Sequence, residues 1–251
     1  MSDSIERFSN RVDNYSKFRP DYPRQILGLL RRECGLTSET MVADIGSGTG
    51  ISSRMFLENG NSVFGVEPNT AMREAAIKYL EQFPRFTSVA GTAEATTLND
   101  HSIDFVTAAQ AFHWFDPERA RSEFKRILKP GGFVVLIWNE RQLDTTPFLA
   151  EYEAFLLRYA TDYTKVRHEN TDAASLRNFF EKEPFHTAFE NEQVFDLDEL
   201  KGRMLSSSYM PDEKSGVYPE MIDELKTLFA KHNESGKIKL LYDTNIYYAQ
   251  V

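Results

Sequence analysis

Between positions 41 and 138, short apolar runs alternate with longer stretches whose apolar residues recur at helical spacing. The run Met41-Val42-Ala43-Asp44-Ile45 reads as a strand that ends in glycines. Ile51, Met55 and Phe56 then mark a helix over 52–59, stopped by Gly60. Residues 62–66 predict a second strand. Asn69 caps a helix that carries Met72, Ala75, Ala76, Tyr79 and Leu80 on one face and halts before Pro84. Third and fourth strands are predicted at 86–90 and 103–109. Pro117 opens a helix with Ala120, Phe124, Ile127 and Leu128 inward, and Lys129-Pro130-Gly131-Gly132 breaks it. Residues 133–138 are apolar at every position, as a central strand covered on both faces requires. Such alternation needs right-handed crossovers and predicts an α/β fold with a doubly wound, mostly parallel sheet.

The flanks read differently. Residues 1–40 hold a Tyr/Arg/Pro-rich segment and one helix at 22–34, and residues 139–184 read as mostly helical. Two further strands are expected at 185–197 and 238–251, separated by helices at 198–205 and 219–232. With no repeat and no linker, residues 1–251 are expected to form a single domain. Its parts would be an N-terminal lid segment (1–40), a ligand-binding core (41–138), a helical cap (139–184) and a C-terminal part completing the sheet (185–251).

Composition narrows the setting. The 251 residues are 41% hydrophobic and 27% charged, ordinary for a globular chain with a sizeable core. The longest aliphatic run, 133–138, is far below the roughly 20 residues needed to cross a bilayer. Acids stand near the N-terminus where a signal peptide has lysines, and the one cysteine, Cys34, excludes a disulfide framework. These features predict a cytoplasmic protein with no membrane association. A formal net charge of -9 argues against a polyanionic partner, so no nucleic acid is expected; Arg31-Arg32 and Lys125-Arg126 read as solvated helix faces. The five histidines show no paired metal spacing, and no metal is expected.

The candidate chemistry lies in Asp44-Ile45-Gly46-Ser47-Gly48-Thr49-Gly50, where the first strand hands over to the first core helix. Glycines there let the backbone turn tightly and let a ligand approach closely. Glu67, at the end of the second strand, can accept hydrogen bonds from both hydroxyls of a ribose. Together they imply an adenosine-type ligand. A dinucleotide fingerprint needs a third glycine where Ile51 stands, and no Walker lysine follows. Asp44 is awkward for a pyrophosphate and suits a ligand carrying an ammonium group.

The run from Val42 to Gly50, with Glu67-Pro68, resembles a class I S-adenosylmethionine-dependent methyltransferase. Gly91-Thr92-Ala93-Glu94, Gln110-Ala111-Phe112-His113-Trp114-Phe115-Asp116 and the Arg126-to-Gly132 turn are similar to the family's later segments. The opening Tyr15…Arg19-Pro20-x-Tyr22-Pro23 and the His-Trp-Phe-Asp segment resemble the small-molecule branch related to trans-aconitate methyltransferases. The likeness covers residues 8 to 140 well and the rest loosely. It implies a Rossmann-like, seven-stranded sheet with helical cap insertions, whose last strand runs antiparallel near the sheet edge. It also implies S-adenosyl-L-methionine as cofactor. Gly46, Ser47 and Gly48 would line its methionine part and ribose, with Asp44 near the ammonium and Glu67 on the ribose hydroxyls. Pro68 and Met72 would border the adenine, Ala93 and Glu94 its edge, and Gln110 and Ala111 the methionine moiety. Arg19 would pair with the carboxylate.

Methyl transfer from a sulfonium is a direct displacement that needs a base only if the acceptor must lose a proton. His113 stands where such a base would act; alternatively, His113 and Trp114 only shape the pocket wall. A carboxylate acceptor is already ionised and needs an arginine more than a base. Arg141 is the first candidate for that clamp, Arg158, Arg167 and Arg203 are weaker ones, and Tyr209 is a further substrate contact. The stripe Phe148, Tyr152, Phe155, Leu156 and Tyr159 reads as core. The expectation is thus a transferase acting on a small-molecule substrate, as monomer or homodimer. The alternatives are an NAD-linked oxidoreductase, a non-catalytic cofactor-binding module, and a methyltransferase with a macromolecular substrate.

Overall fold

A computed structural model describes residues 17–161, 173–207 and 209–251. The first 16 residues of the expected lid, residues 162–172 of the expected cap, and hence Tyr15 and Arg167, lie outside them. The strands are β1 (Met41–Ile45), β2 (Ser62–Val66), β3 (Phe86–Val89), β4 (Ile103–Ala109), β5 (Leu128–Arg141), β6 (Phe185–Phe195) and β7 (Ile238–Gln250). The helices are α1 (Gln25–Cys34), α2 (Ile51–Glu58), α3 (Thr70–Tyr79), α4 (Pro117–Ile127), α5 (Pro147–Tyr159), α6 (Ala173–Phe180), α7 (Leu197–Leu205) and α8 (Tyr218–His232). One seven-stranded sheet has the order β3-β2-β1-β4-β5-β7-β6. The five core strands pair in parallel, and β7 runs antiparallel between β5 and β6. The order reverses between β1 and β4, so a crevice opens beyond their carboxyl ends, where sheets of this kind bind ligands.

The pleat of β5 shows why its run is apolar throughout. Val134, Leu136 and Trp138 join a core with Phe124 and Ile127 of α4 and Leu176 and Phe179 of α6. Val135 and Ile137 face the opposite core, with Ile26 and Leu30 of α1 and Met55 and Phe56 of α2. A third core packs α5, α7 and α8 around the first half of β7. The stripe Phe148, Tyr152, Phe155, Leu156 and Tyr159 belongs to it, as its helical spacing predicts.

Several boundaries differ from the sequence reading, each for a local reason. α1 starts at Gln25, because Tyr22 precedes a proline and is pushed out of the helical region. β5 starts at Leu128, which pairs with Ile103 before a register shift, so Lys129 to Gly132 lie within the strand and do not separate it from α4. It also runs on to Arg141, because β7 continues the ladder as far as Arg141 opposite Tyr242. α7 begins at Leu197, since Asp196 ends the strand as an N-cap in a capping box with Glu199.

Candidate active site

The turn after β1 is pinned to the end of β2. The amides of Gly46 and Ser47 both donate to the Val66 carbonyl, at 2.8 and 3.2 Å. Gly46 has φ +68°, and a Cβ there would sit 2.6 Å from the Cβ of Ala111. The strand-to-helix turn and the segment after β4 therefore touch backbone to side chain, which only glycine permits. At Gly48, φ +53°, an added Cβ would meet nothing within 4 Å. That open face borders Glu67, whose Oε2 accepts the Gly48 amide at 3.0 Å and whose Oε1 accepts the Asn69 amide at 2.9 Å. Burial holds the Glu67 carboxyl above the usual carboxylate range, against the two amides that favour its charge.

Asp44 is fully buried. Its Oδ2 accepts the hydroxyls of Ser52 and Ser53, each at 2.6 Å, from the first turn of α2. Its Oδ1 receives no hydrogen bond. Burial pushes this carboxyl up to about 6, with the serine hydroxyls opposing the shift. One strand over, Gln110 directly follows β4 with φ +57°, a strained conformation for a residue with a side chain. Its amide donates to the Ile137 carbonyl and its Nε2 to the Asn139 carbonyl, both at 2.9 Å, while the buried Oε1 accepts nothing. Two buried acceptors without donors thus lie at the carboxyl ends of adjacent strands.

The other residues singled out from sequence fall into two groups. Met72 is buried, with its amide on the Asn69 side chain, and Pro68 is exposed beside it. Ala93 is buried, and Glu94 reaches from the loop after β3 to accept the Asp116 amide at 2.9 Å. His113 and the 40%-exposed Trp114 lie on a short 3-10 turn with ring centroids 4.8 Å apart. These residues stand on the segments that follow β2, β3 and β4. Arg19, Arg141 and Tyr209 lie further along, toward β5 and β7. Arg19 donates to the Ser206 carbonyl at 3.1 Å. Arg141 ion-pairs with Glu153 of α5 in largely buried surroundings, and the Tyr209 carbonyl accepts from Thr161. Arg158 pairs with Glu224 at the surface. Among the described residues no cluster suits a metal ion, and no helix is long and apolar enough to cross a membrane.

A family model for the methyltransferase domain matches residues 43–136. An uncharacterized methyltransferase-like protein of Schizosaccharomyces pombe is 30% identical over 245 residues, spanning 96% of this chain and 93% of its own length. The chain belongs to the class I S-adenosylmethionine-dependent methyltransferase family. A second methyltransferase relative, uncharacterized, from Mycobacterium tuberculosis is 37% identical over 230 residues, covering 90% of this chain and 86% of that protein. A solved methyltransferase structure from Anaeromyxobacter dehalogenans shares the fold, with a TM-score of 0.72 at 20% identity over 93% of this chain and 98% of that one.

In this methyltransferase, the link from the crevice toward β7 escaped the sequence reading. Asn139 accepts the Thr244 hydroxyl at 2.6 Å, donates to the Asp21 carbonyl at 3.3 Å, and accepts from Asn191 at 3.2 Å. The partners lie more than a hundred residues from Asn139 in two of the three cases, and no local spacing announces them. Ser52 and Ser53 were also missed, although serines in the first turn after a strand-end acid were a usable signal.

Proposed function

We propose that this methyltransferase binds S-adenosyl-L-methionine at the carboxyl ends of β1, β2 and β4 and transfers its methyl group to a small-molecule acceptor by direct displacement. The observation that carries the reading is the pair of donor-less buried acceptors, Asp44 Oδ1 and Gln110 Oε1. A buried acceptor left unpaired costs roughly 1–3 kcal/mol, and an ammonium group supplies the missing donors. Nothing within 4 Å of the Gly48 Cβ position supports a close ligand approach there.

Within this reading Glu67 takes the ribose hydroxyls on oxygen lone pairs left free by Gly48 and Asn69. Pro68 and Met72 border the adenine face, and Ala93 and Glu94 its edge. Gly46, Ser47, Gln110 and Ala111 line the methionine part, with Asp44 at its ammonium and Arg19 directed to its carboxylate. The bound cofactor supplies an electrophilic methyl on a positively charged sulfur that leaves as a neutral thioether. The chain contributes alignment of the acceptor with that methyl and exclusion of water. The finer assignment is to the small-molecule branch related to trans-aconitate methyltransferases, with a carboxylate oxygen as acceptor. Such an oxygen is ionised at neutral pH, so His113 and Trp114 act as pocket wall and no general base is required.

Calorimetric titration with S-adenosylhomocysteine, with NAD as control, tests this function. Micromolar binding of the former alone is expected. Binding of NAD alone, or of neither, overturns it.

A further inference from the structure

Arg203, on α7, is only 8% exposed. A guanidinium stays charged at every physiological pH, and burying it without a counter-ion costs several kcal/mol. Yet no carboxylate among the described residues pairs with it. Nε points to the Tyr242 hydroxyl at a long 3.4 Å, and Nη1 reaches the hydroxyls of Ser207 at 3.2 Å and Ser206 at 3.5 Å. Nη2 donates to no described residue. The Tyr242 hydroxyl gives its own proton to Gln193, at 2.8 Å. Burial raises the Tyr152 phenol above its usual value, so it stays neutral beside Arg203 and compensates no charge. Glu153 of α5, itself buried, pairs with Arg141.

Arg203 is joined to the proposed cofactor crevice by one block of side chains. Asn139 and Arg141 share a face of β5, as do Thr244 and Tyr242 on β7, and the two pairs are in register. Asn139 carries the carbonyl that holds Gln110. Arg203 contacts Tyr242, two residues or about 7 Å along the strand from Thr244. The same turn that meets Arg203, Ser206-Ser207, is held by Arg19 through the Ser206 carbonyl.

We propose that Arg203 holds an acidic group of the methyl acceptor, which makes it a specificity-determining residue for small carboxylic acids. The anchoring role moves from Arg141, which already has a carboxylate, to the arginine that lacks one. The acid provides two oxygens for Nη2 and Nη1 and the counter-charge that no described residue gives. This inference rests on the proposed methyl transfer.

The test uses the full chain and radiolabelled S-adenosylmethionine with a panel of short di- and tricarboxylic acids, each beside its neutral amide. Acids are expected to accept methyl groups, and amides not. Arg203→Met is expected to raise the KM for the acids by about 10- to 100-fold, the worth of charged hydrogen bonds, with S-adenosylhomocysteine affinity unchanged. Its melting temperature should equal or exceed that of the wild type, because an uncompensated buried charge has been removed; a purely structural arginine would lower it. Arg203→Lys, which keeps the charge but loses the planar fork, should lie between the two and carries the comparison if Arg203→Met does not fold. Equal use of amides, an unchanged KM in both variants, or a silent panel alongside intact S-adenosylhomocysteine binding overturns the acid site and leaves the cofactor reading standing. Failure of the wild type to bind S-adenosylhomocysteine strikes the cofactor reading itself.

Discussion

Glu67 and Gly48 are joined by a carboxylate-to-amide hydrogen bond of 3.0 Å that ties the end of β2 to the glycine turn after β1. The same carboxylate takes the Asn69 amide at the start of α3, so one side chain sets both the loop and the helix that border the crevice. Glu67→Ala should weaken S-adenosylhomocysteine binding by about 1.5–3 kcal/mol, the value of hydrogen bonds to a charged group. Calorimetry checks this, and an unchanged affinity would remove Glu67 from the site.

Asp44 imposes a pH dependence of defined sign. Its carboxyl is raised by burial from 3.8 to about 6, so the folded state binds the proton more tightly than the unfolded chain. The cost of ionising it is absent below about pH 4, grows as pH rises through that window, and is complete above about pH 6, at roughly 3 kcal/mol. Asp44→Asn should therefore be more stable than wild type at pH 7.5 and equal to it at acid pH. Its S-adenosylhomocysteine affinity should be lower at pH 7.5 and rise less steeply between pH 5 and 7, since position 44 no longer carries a titrating carboxyl. Melting curves and titrations at several pH values measure both.

Gly46 and Gly48 should separate stability from binding. Gly46→Ala meets Ala111 and adopts a left-handed conformation, and is expected to cost at least about 2 kcal/mol in unfolding experiments. Gly48→Ala meets no protein atom, so only the conformational cost of about 1 kcal/mol applies to stability, while S-adenosylhomocysteine affinity falls tenfold or more.

Arg141 and Glu153 form an ion pair with both side chains about nine-tenths buried. Arg141→Met alone should destabilise by about 3–5 kcal/mol because the buried glutamate loses its counter-charge from Arg141, and the double change to methionine should restore most of the loss. Denaturant titration of the single and double variants shows whether the pair acts as a unit.

His113 is expected to be dispensable for the chemical step. If the acceptor oxygen is already ionised, His113→Asn lowers kcat by less than about tenfold and leaves the shape of the pH profile unchanged. A loss of several hundredfold with a shifted profile would make it the base.

Much of the candidate site was readable along the chain because its parts are local. Asp44, the three glycines and Glu67 each stand at a strand end, and strand ends are marked by the change from apolar runs to turn residues. The reading failed where a neighbour came from far away. Gly202 accommodates the Phe18 ring, which packs the segment before α1 onto α7. Nothing near either residue in sequence predicts that contact. Lys129 to Gly132 looked like a break, but Leu128 before them and Phe133 after them both pair with β4, and the strand runs through.

The order of apolar runs and helical stripes was enough to determine the doubly wound sheet, and the residues at its turns pointed to an adenosine-type ligand with an ammonium group. Both follow from backbone geometry and burial patterns that repeat over two to four residues. Which charges are compensated was decided only by the tertiary structure. Arg141 and Arg203 look alike as single arginines on strand or helix, yet among the described residues one meets Glu153 and the other meets hydroxyls and no carboxylate. Electrostatic pairing depends on which side chains arrive within a few ångströms in a low-dielectric interior, and that is a property of the packed elements rather than of any stretch of sequence.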